Sequence, residues 1–382
     1  MARLYQTQGV SQEPLYLRLY DEAIAKDANY APAYKALYRY YYETNVPKSA
    51  TYLEKALAVS DDDPNACYLR ASMKFAQGLN AEAISKANEC ITAGGANPYP
   101  NLFGLRAFAY LKTNDSINAK SNFEEYFKRQ IPSKIGAGDY SSYAFTLLKF
   151  PDSEQAAGEN ILKAVALDSV EKNKVDYIKV MAAYYRDKNN FAEAANWYNK
   201  VLYIKKNFNN VDLYNAGYNY FRSAKFDSSA IVFGKYNVKY PDDMFGYYML
   251  AKANSGIDST LATGLAASSY LKAIEVGEKA VDPTKIKDQL IGAYTFMMQY
   301  SFNVKKDQAA AIAYADKALI LDPADAQSIK NKEFVTKNSP STKPTIKPTT
   351  KPTTKPTVPT TTPSTKPAVV PKPKVVAPVK KK

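Results

Sequence analysis

Between Val211 and Pro241 the apolar side chains recur at intervals of three and four residues. Leu213, Ala216, Gly217 and Tyr220 fall on one face of a first helix, Ser223 to Lys225 reads as a turn, and Phe226, Ser229, Phe233 and Tyr236 share a face of a second helix. Pro241 closes the unit. The stretch before it has the same layout: Ile178, Met181, Ala182 and Tyr185, a turn at Asn189-Asn190, then Phe191, Ala194, Tyr198 and Val201. Phe103, Ala107 and Tyr110 pair in the same way with Ala119 and Phe123, Tyr140 and Ala144 with Ala157 and Ile161, and Tyr247, Leu250 and Ala251 with Tyr270 and Ala273. Ile291 and Gly292 pair with Ala311, Ala315 and Ala318. The pattern predicts helix hairpins, one after another.

A small residue stands in each first helix about one turn before a bulky one. Ala71, Ala107, Ala144, Ala182, Gly217, Ala251 and Gly292 are separated by 36, 37, 38, 35, 34 and 41 positions, a period that marks a repeat array. Ala or Gly at that point lets the second helix approach to the close end of the usual separation of about 8–10 Å, and a large neighbour fills the space beside it. One hairpin cannot bury its apolar face alone, so stacking makes both the core and the functional surface. We count about eight units in residues 1–337. Ala2, Tyr5 and Gly9 repeat the spacing of Ala71, Lys74 and Gly78, so the chain is expected to begin midway through the first helix of a partial unit. The start is then either truncated or capped by another element.

Three departures carry expectations of their own. Tyr38 occupies a small-residue position, which predicts a first complete unit that packs differently or splays. The connections from Ile257 to Ala266 and from Ser301 to Asp307 are longer than a repeat turn. Asp322 to Lys337 continues in helical style, with Ile329, Phe334 and Val335 available to cover the exposed end as a capping helix. From Asn338 the chain turns to Pro, Thr and Lys, as in KPTIKPTTKPTTKPT from Lys343, a composition too poor in apolar side chains for a core and suited to polyproline II. Residues 338–382 are therefore expected to be a disordered tail: a spacer, or an electrostatic contact for an anionic partner such as nucleic acid, acidic glycan or membrane headgroups.

Charge sharpens this division. Of the formal +14, eleven charges belong to Lys side chains from Lys337 onward, where no acid occurs, and residues 1–336 carry only +3. The array is near neutral, so nucleic-acid binding would fall to the tail. The absence of His removes the commonest general base and metal ligand. Cys67 and Cys90 cannot build a zinc site alone. They fall near the start of one helix and the end of its partner, open to a disulfide in an oxidising compartment; the preferred reading is two small core residues.

Motifs for catalysis are poor. Gly136-Ala137-Gly138 precedes a helix without joining it to a strand, which argues against a dinucleotide site. Asp61, Asp63 and Asn65 open like a calcium loop, but Ala66 and Ser72 stand where Gly and Glu belong, so Asp61 to Asp63 are expected to cap a helix. Glu124-Glu125 and Asp242-Asp243 are adjacent in sequence and do not form a paired acid and base. No enzyme activity, cofactor or metal is expected.

The chain resembles the tetratricopeptide repeat family. DANYAPAYKALY at Asp27 to Tyr38 is similar to the family's inter-repeat turn and the helix that follows, ALILDP at Ala318 to Pro323 resembles its repeat ending, and QGLNAEAI at Gln77 to Ile84 and NNFAEAA at Asn189 to Ala195 look like its helix-turn-helix junction. The resemblance covers about residues 1–323. It implies an all-α, right-handed superhelical array of helix-turn-helix repeats whose first helices line a concave face. Carried over position by position, that face holds Tyr68, Phe75, Phe108, Lys112, Lys149, Lys179, Arg186, Tyr214, Tyr218, Phe221, Arg222, Tyr248 and Lys252. The alternative for each aromatic is packing between neighbouring repeats. An aromatic and basic face suits protein or peptide partners with acidic and apolar side chains. The chaperone-tail clamp of some members is not expected: Lys179 and Asn215 could supply two of its groups, but Ala183 and Phe245 stand where others belong.

The implied function is a non-catalytic scaffold for protein–protein interaction. A second reading is a bacterial envelope assembly or anchoring factor tethered by the basic tail. Asp115-Ser116-Ile117, Asp168-Ser169-Val170 and Asp258-Ser259-Thr260 resemble an O-glycosylation pattern of some exported bacterial proteins. Localisation stays open: cytoplasmic for the chain as given, periplasmic or envelope if a leader precedes it.

Overall fold

The computed structural model describes residues 1–60 and 65–338. The expectations placed on Asp61 to Asp63 and on the tail lie outside the described residues. The rest is all-α, with helices packed in sequential antiparallel pairs, and it divides into two compact units at Asp168–Ser169. In the first unit α1 (Ala2–Thr7) packs on α2 (Glu13–Lys26), α3 (Ala31–Thr44) on α4 (Val46–Ala58), α5 (Ala66–Ala76) on α6 (Asn80–Ala93), α7 (Asn101–Lys112) on α8 (Ser116–Arg129), and α9 (Ala137–Leu147) on α10 (Glu154–Leu167). In the second, α11 (Glu171–Asp187) packs on α12 (Phe191–Ile204), α13 (Asn210–Arg222) on α14 (Phe226–Lys239), α15 (Met244–Ile257) on α16 (Leu265–Gly277), and α17 (Lys287–Tyr300) on α18 (Gln308–Leu321). Helix α19 (Ala326–Lys337) packs on α18. No described helix is long and apolar enough to cross a membrane.

The small residues do what close helix approach requires. Ala71, Ala107, Ala144, Ala182 and Ala251 are fully buried on the first helices, as are Ala83, Ala119, Ala157 and Ala194 on the second helices of their hairpins. Ser229 shows how near the backbones come: its Oγ donates to the Gly217 carbonyl at 3.0 Å. A Cβ at Gly217 would meet the Phe233 ring at 2.8 Å, so the ring occupies the space the missing side chain leaves. Aromatic filling extends to the lone tryptophan, Trp197 on α12, which is buried with Lys200 Nζ 5.5 Å from its ring.

The hairpin turns repeat as faithfully as the helices. Gly78, Asn114, Asn189 and Ala224 each stand seven residues after the small position and adopt positive φ, between 58° and 80°. The next N–H donates back across the turn, from Leu79 to the Lys74 carbonyl, Asp115 to Tyr110, Asn190 to Tyr185, and Lys225 to Tyr220, at 2.9–3.0 Å. This is the left-handed helix stop that satisfies carbonyls otherwise left open. Gly or Asn suits the position, whereas Ala224 has neither glycine's freedom nor asparagine's local hydrogen bonding.

Two expectations, the small residue of α17 and the reading of the cysteines, are corrected, and two others take a definite form. Of the two alternatives for the Tyr38 hairpin, it packs differently and does not splay: Ser49 Oγ of α4 donates to the Tyr38 carbonyl at 2.8 Å, as Ser229 does to Gly217, and the Tyr38 ring is housed beside Tyr42, Leu53 and Met73. The small residue of α17 is Ala293, which is fully buried; Gly292 is partly exposed and lies against the Tyr248 hydroxyl. Ser301 to Lys305 extends α17 as a single π-helical turn and carries buried Phe302 into a cluster with Met298, Ala311, Ala315 and Val335 of α19. Cys67 and Cys90 are joined by a disulfide between α5 and α6, with Cα atoms 5.8 Å apart.

Candidate protein-interaction face

The first helices of the second unit bring several of the sequence-predicted residues together. On α13, Tyr214 and Tyr218 are one turn apart and their rings stack in parallel at 5.2 Å. Phe221, the next turn on, packs edge-on to Phe226 at 5.6 Å. On α15, Phe245 lies 5.6 Å from the Tyr214 ring, and Lys252 places its ammonium 5.5 Å from both the Phe221 and Tyr248 rings. Tyr248 itself meets Tyr270 of α16 at 5.9 Å. The result is a ladder of half-buried aromatic rings across α13 and α15 with a cation set into it. Burial raises the phenols of Tyr214, Tyr218 and Tyr248 above the ordinary value and lowers the Lys252 ammonium.

The other cations of the face are engaged locally. Lys179 of α11 pairs with Asp212 at 3.1 Å, and Lys205 binds the other carboxylate oxygen. Asp212 also accepts the Asn209 N–H at 3.1 Å while Asn209 accepts that of Asp212, a reciprocal cap on α13. Burial pushes the Asp212 carboxyl up, but the hydrogen bonds from Lys205, Asn209 and Lys179 outweigh it and hold the group below the usual carboxylate range. Arg186 pairs with Asp187 at 2.9 Å and donates to Tyr198 at 3.3 Å. Arg222 spreads its guanidinium 3.6 Å over the Phe191 ring.

The first unit places its candidates differently. Phe75 is buried in the core around the disulfide, with Ala71, Ala83 and Ala87. Phe108 packs edge-on to Phe123 at 5.3 Å, filling its own hairpin. Lys149 Nζ donates to Ser116 at 2.9 Å, and Lys112 is exposed at the end of α7. Tyr68 borders a cavity of about 170 Å³, with Tyr38, Tyr42, Tyr99, Lys35 and Arg39 around it and Leu53 and Leu69 among its apolar walls. Lys35, Arg39 and Tyr99 were not among the expected residues. The signal was present: Lys35 and Arg39 stand three before and one after Tyr38, as Tyr214 and Tyr218 stand about Gly217, but a tyrosine in the small-residue slot hid the register. Phe245, which in the sequence marks only a departure from the chaperone-tail clamp, bridges Tyr214 to the buried Phe233 and Tyr236.

The structural neighbours are TPR-repeat proteins. The C-terminal part of a TPR repeat-containing protein from Cytophaga hutchinsonii matches with a TM-score of 0.41 and 26% identity, over 69% of this chain and 98% of that one. The TPR2AB domain of yeast Sti1, solved as a complex with pHSP90, matches with a TM-score of 0.28 and 15% identity, over 68% and 95%. Cut9, from the Cut9–Hcn1 hetero-tetramer of the APC/C, matches with a TM-score of 0.35 and 12% identity, over 84% of this chain and 52% of that one. No protein-family model matches the sequence, and no curated protein matches it. At these scores and identities the neighbours name no partner for this chain.

Proposed function

We propose that the chain is a non-catalytic scaffold that recognises a protein partner along the first helices of its repeats, with the α13–α15 face as the principal contact. The supporting observation is the aromatic ladder of Tyr214, Tyr218, Phe221, Phe245 and Tyr248, half-buried and edged by Arg222 and Lys252. Rigid aromatic surface held by helices binds at low entropic cost, and Tyr with Arg dominates the contacts that carry binding energy. The test is affinity capture from native lysate. The full chain is compared with the same chain carrying Tyr218→Ala, Phe221→Ala and Arg222→Glu. Helical content by circular dichroism should match, and a partner identified by mass spectrometry should be lost from the variant. Equal retention by both removes this face from the account.

A second reading concerns where the scaffold works. The Cys67–Cys90 bond favours an oxidising compartment, in keeping with an exported envelope factor tethered by its basic tail. Alkylation of free thiols during lysis, followed by mass spectrometry, should find both cysteines unmodified in that case. Alkylated cysteines place the protein in a reducing compartment.

A further inference from the structure

Of the four cations expected on this face of the second unit, Lys179 and Arg186 already have carboxylate partners in Asp212 and Asp187. Arg222 is stacked on Phe191 at the exposed edge. Lys252 is set apart. Its stem rises from the middle of α15, its ammonium lies 5.5 Å from two aromatic rings, and among the described residues it has no ion pair. Ring faces replace only part of the hydration an ammonium gives up, and burial here lowers the charged form's advantage. Such a group gains most from an arriving anion, since the carboxylate restores the charge balance while the rings exclude water from the pair.

We propose that Lys252 sets the specificity of this face by taking a single carboxylate, an Asp or Glu side chain within an extended segment of a partner protein whose apolar side chains lie on Tyr218, Phe221 and Tyr248. The proposal rests on the reading that the face binds protein. Charge decides the occupant. The chain's own Lys-rich tail, or that of a second copy, brings like charge to Lys252. A phosphate polymer would meet Asp187 beside Arg186, and Asp288 near Tyr248, along the same face. A segment with a single carboxylate brings one negative charge to the one ammonium and apolar side chains to the rings, where a phosphate polymer would carry several charges past these acids.

The experiment uses the full chain and fluorescein-labelled ten-residue peptide pools in which Glu alternates with Leu, Phe, Tyr or Trp, against matched pools with Gln for Glu, read by anisotropy. The Glu pool is expected to bind about tenfold more tightly than the Gln pool. Lys252→Met, which keeps the apolar stem, is expected to erase that difference and leave the Gln affinity in place. Tyr218→Ala with Phe221→Ala should weaken both pools. In ¹³C-dimethylated protein, the Lys252 resonance should titrate at higher pH with the Glu pool bound. A Glu preference that survives Lys252→Met, or equal binding of the two pools, overturns the role of Lys252 and leaves protein binding standing. Binding of neither pool, with or without binding of an oligothymidine probe, overturns both.

Discussion

Ala224 and Asp212 show what single positions contribute. Ala224 holds φ at +58° in an exposed turn where the equivalent positions are Gly78, Asn114 and Asn189. An L-residue with a Cβ has to bear about 1 kcal/mol there. Ala224→Gly is therefore expected to stabilise the protein by about 0.5–1 kcal/mol, less the extra unfolded-state freedom of glycine, measured by urea denaturation. A loss of stability would mean that the turn is not strained. Asp212 has the opposite character, a buried carboxylate held by Lys179, Lys205 and the Asn209 N–H. Because its folded pKa lies below the ordinary value, its contribution is fully present above the unfolded pKa of about 4 and is lost as pH falls through the folded value. Asp212→Asn should cost about 2–3 kcal/mol at pH 7, and its melting temperature should fall less steeply than the wild type's as the solution is acidified below pH 4. Parallel pH profiles would show that the carboxylate is not the group being titrated.

At the scale of the element, helix crossings distinguish two glycines of neighbouring helices. Gly217 on α13 faces the fully buried Phe233, whereas nothing lies within 4 Å of a Cβ at Gly234 on α14. Both would gain roughly 1 kcal/mol of helix propensity from alanine, but at Gly217 the ring must move at a cost of about 1–3 kcal/mol. Gly234→Ala should raise the melting temperature and Gly217→Ala should lower it. Changes of the same sign would show that the crossing yields without strain. The same crossings explain how far the chain could be read in advance. Spacings of 34–38 placed Ala71 to Ala251 correctly, since each hairpin must present a small residue where its helices meet. The interval of 41 did not, because the long connection from Ile257 to Leu265 and the extra helical turn at Pro283 to Ile286 both lengthen this repeat, and the small contact falls on Ala293. The face was legible where aromatic residues follow the small position in register, as at Tyr214 and Tyr218. It was less so in the first unit, where Phe75 and Phe108 serve the core and only the folded chain shows Tyr38, Tyr42, Tyr68 and Tyr99 around one cavity. A disulfide between Cys67 and Cys90 could be judged feasible from spacing, but the approach of the two side chains depends on how α5 turns into α6.

For the molecule as a whole, repeat stacking keeps contacts local, so stability is summed over neighbours and is not held by one common core. The Cys67–Cys90 bond, closing a separation of 23 residues, acts on that sum at one place. Reduction should remove about 3 kcal/mol, a figure from unfolded-chain entropy. Hydrogen exchange read helix by helix should then show lost protection in α5, α6 and their neighbours, and little change in α13 to α18. Uniform loss across the chain would show cooperativity that local contacts do not supply. Trp197 lends this division an optical handle. Among 32 tyrosines and one tryptophan, the only indole is buried on α12 in the second unit. Emission excited at the red edge of the absorption band, where phenols are dark, therefore follows Ser169 onward and is silent on the residues before it. Unfolding curves from that signal and from ellipticity will coincide only if the two units melt together.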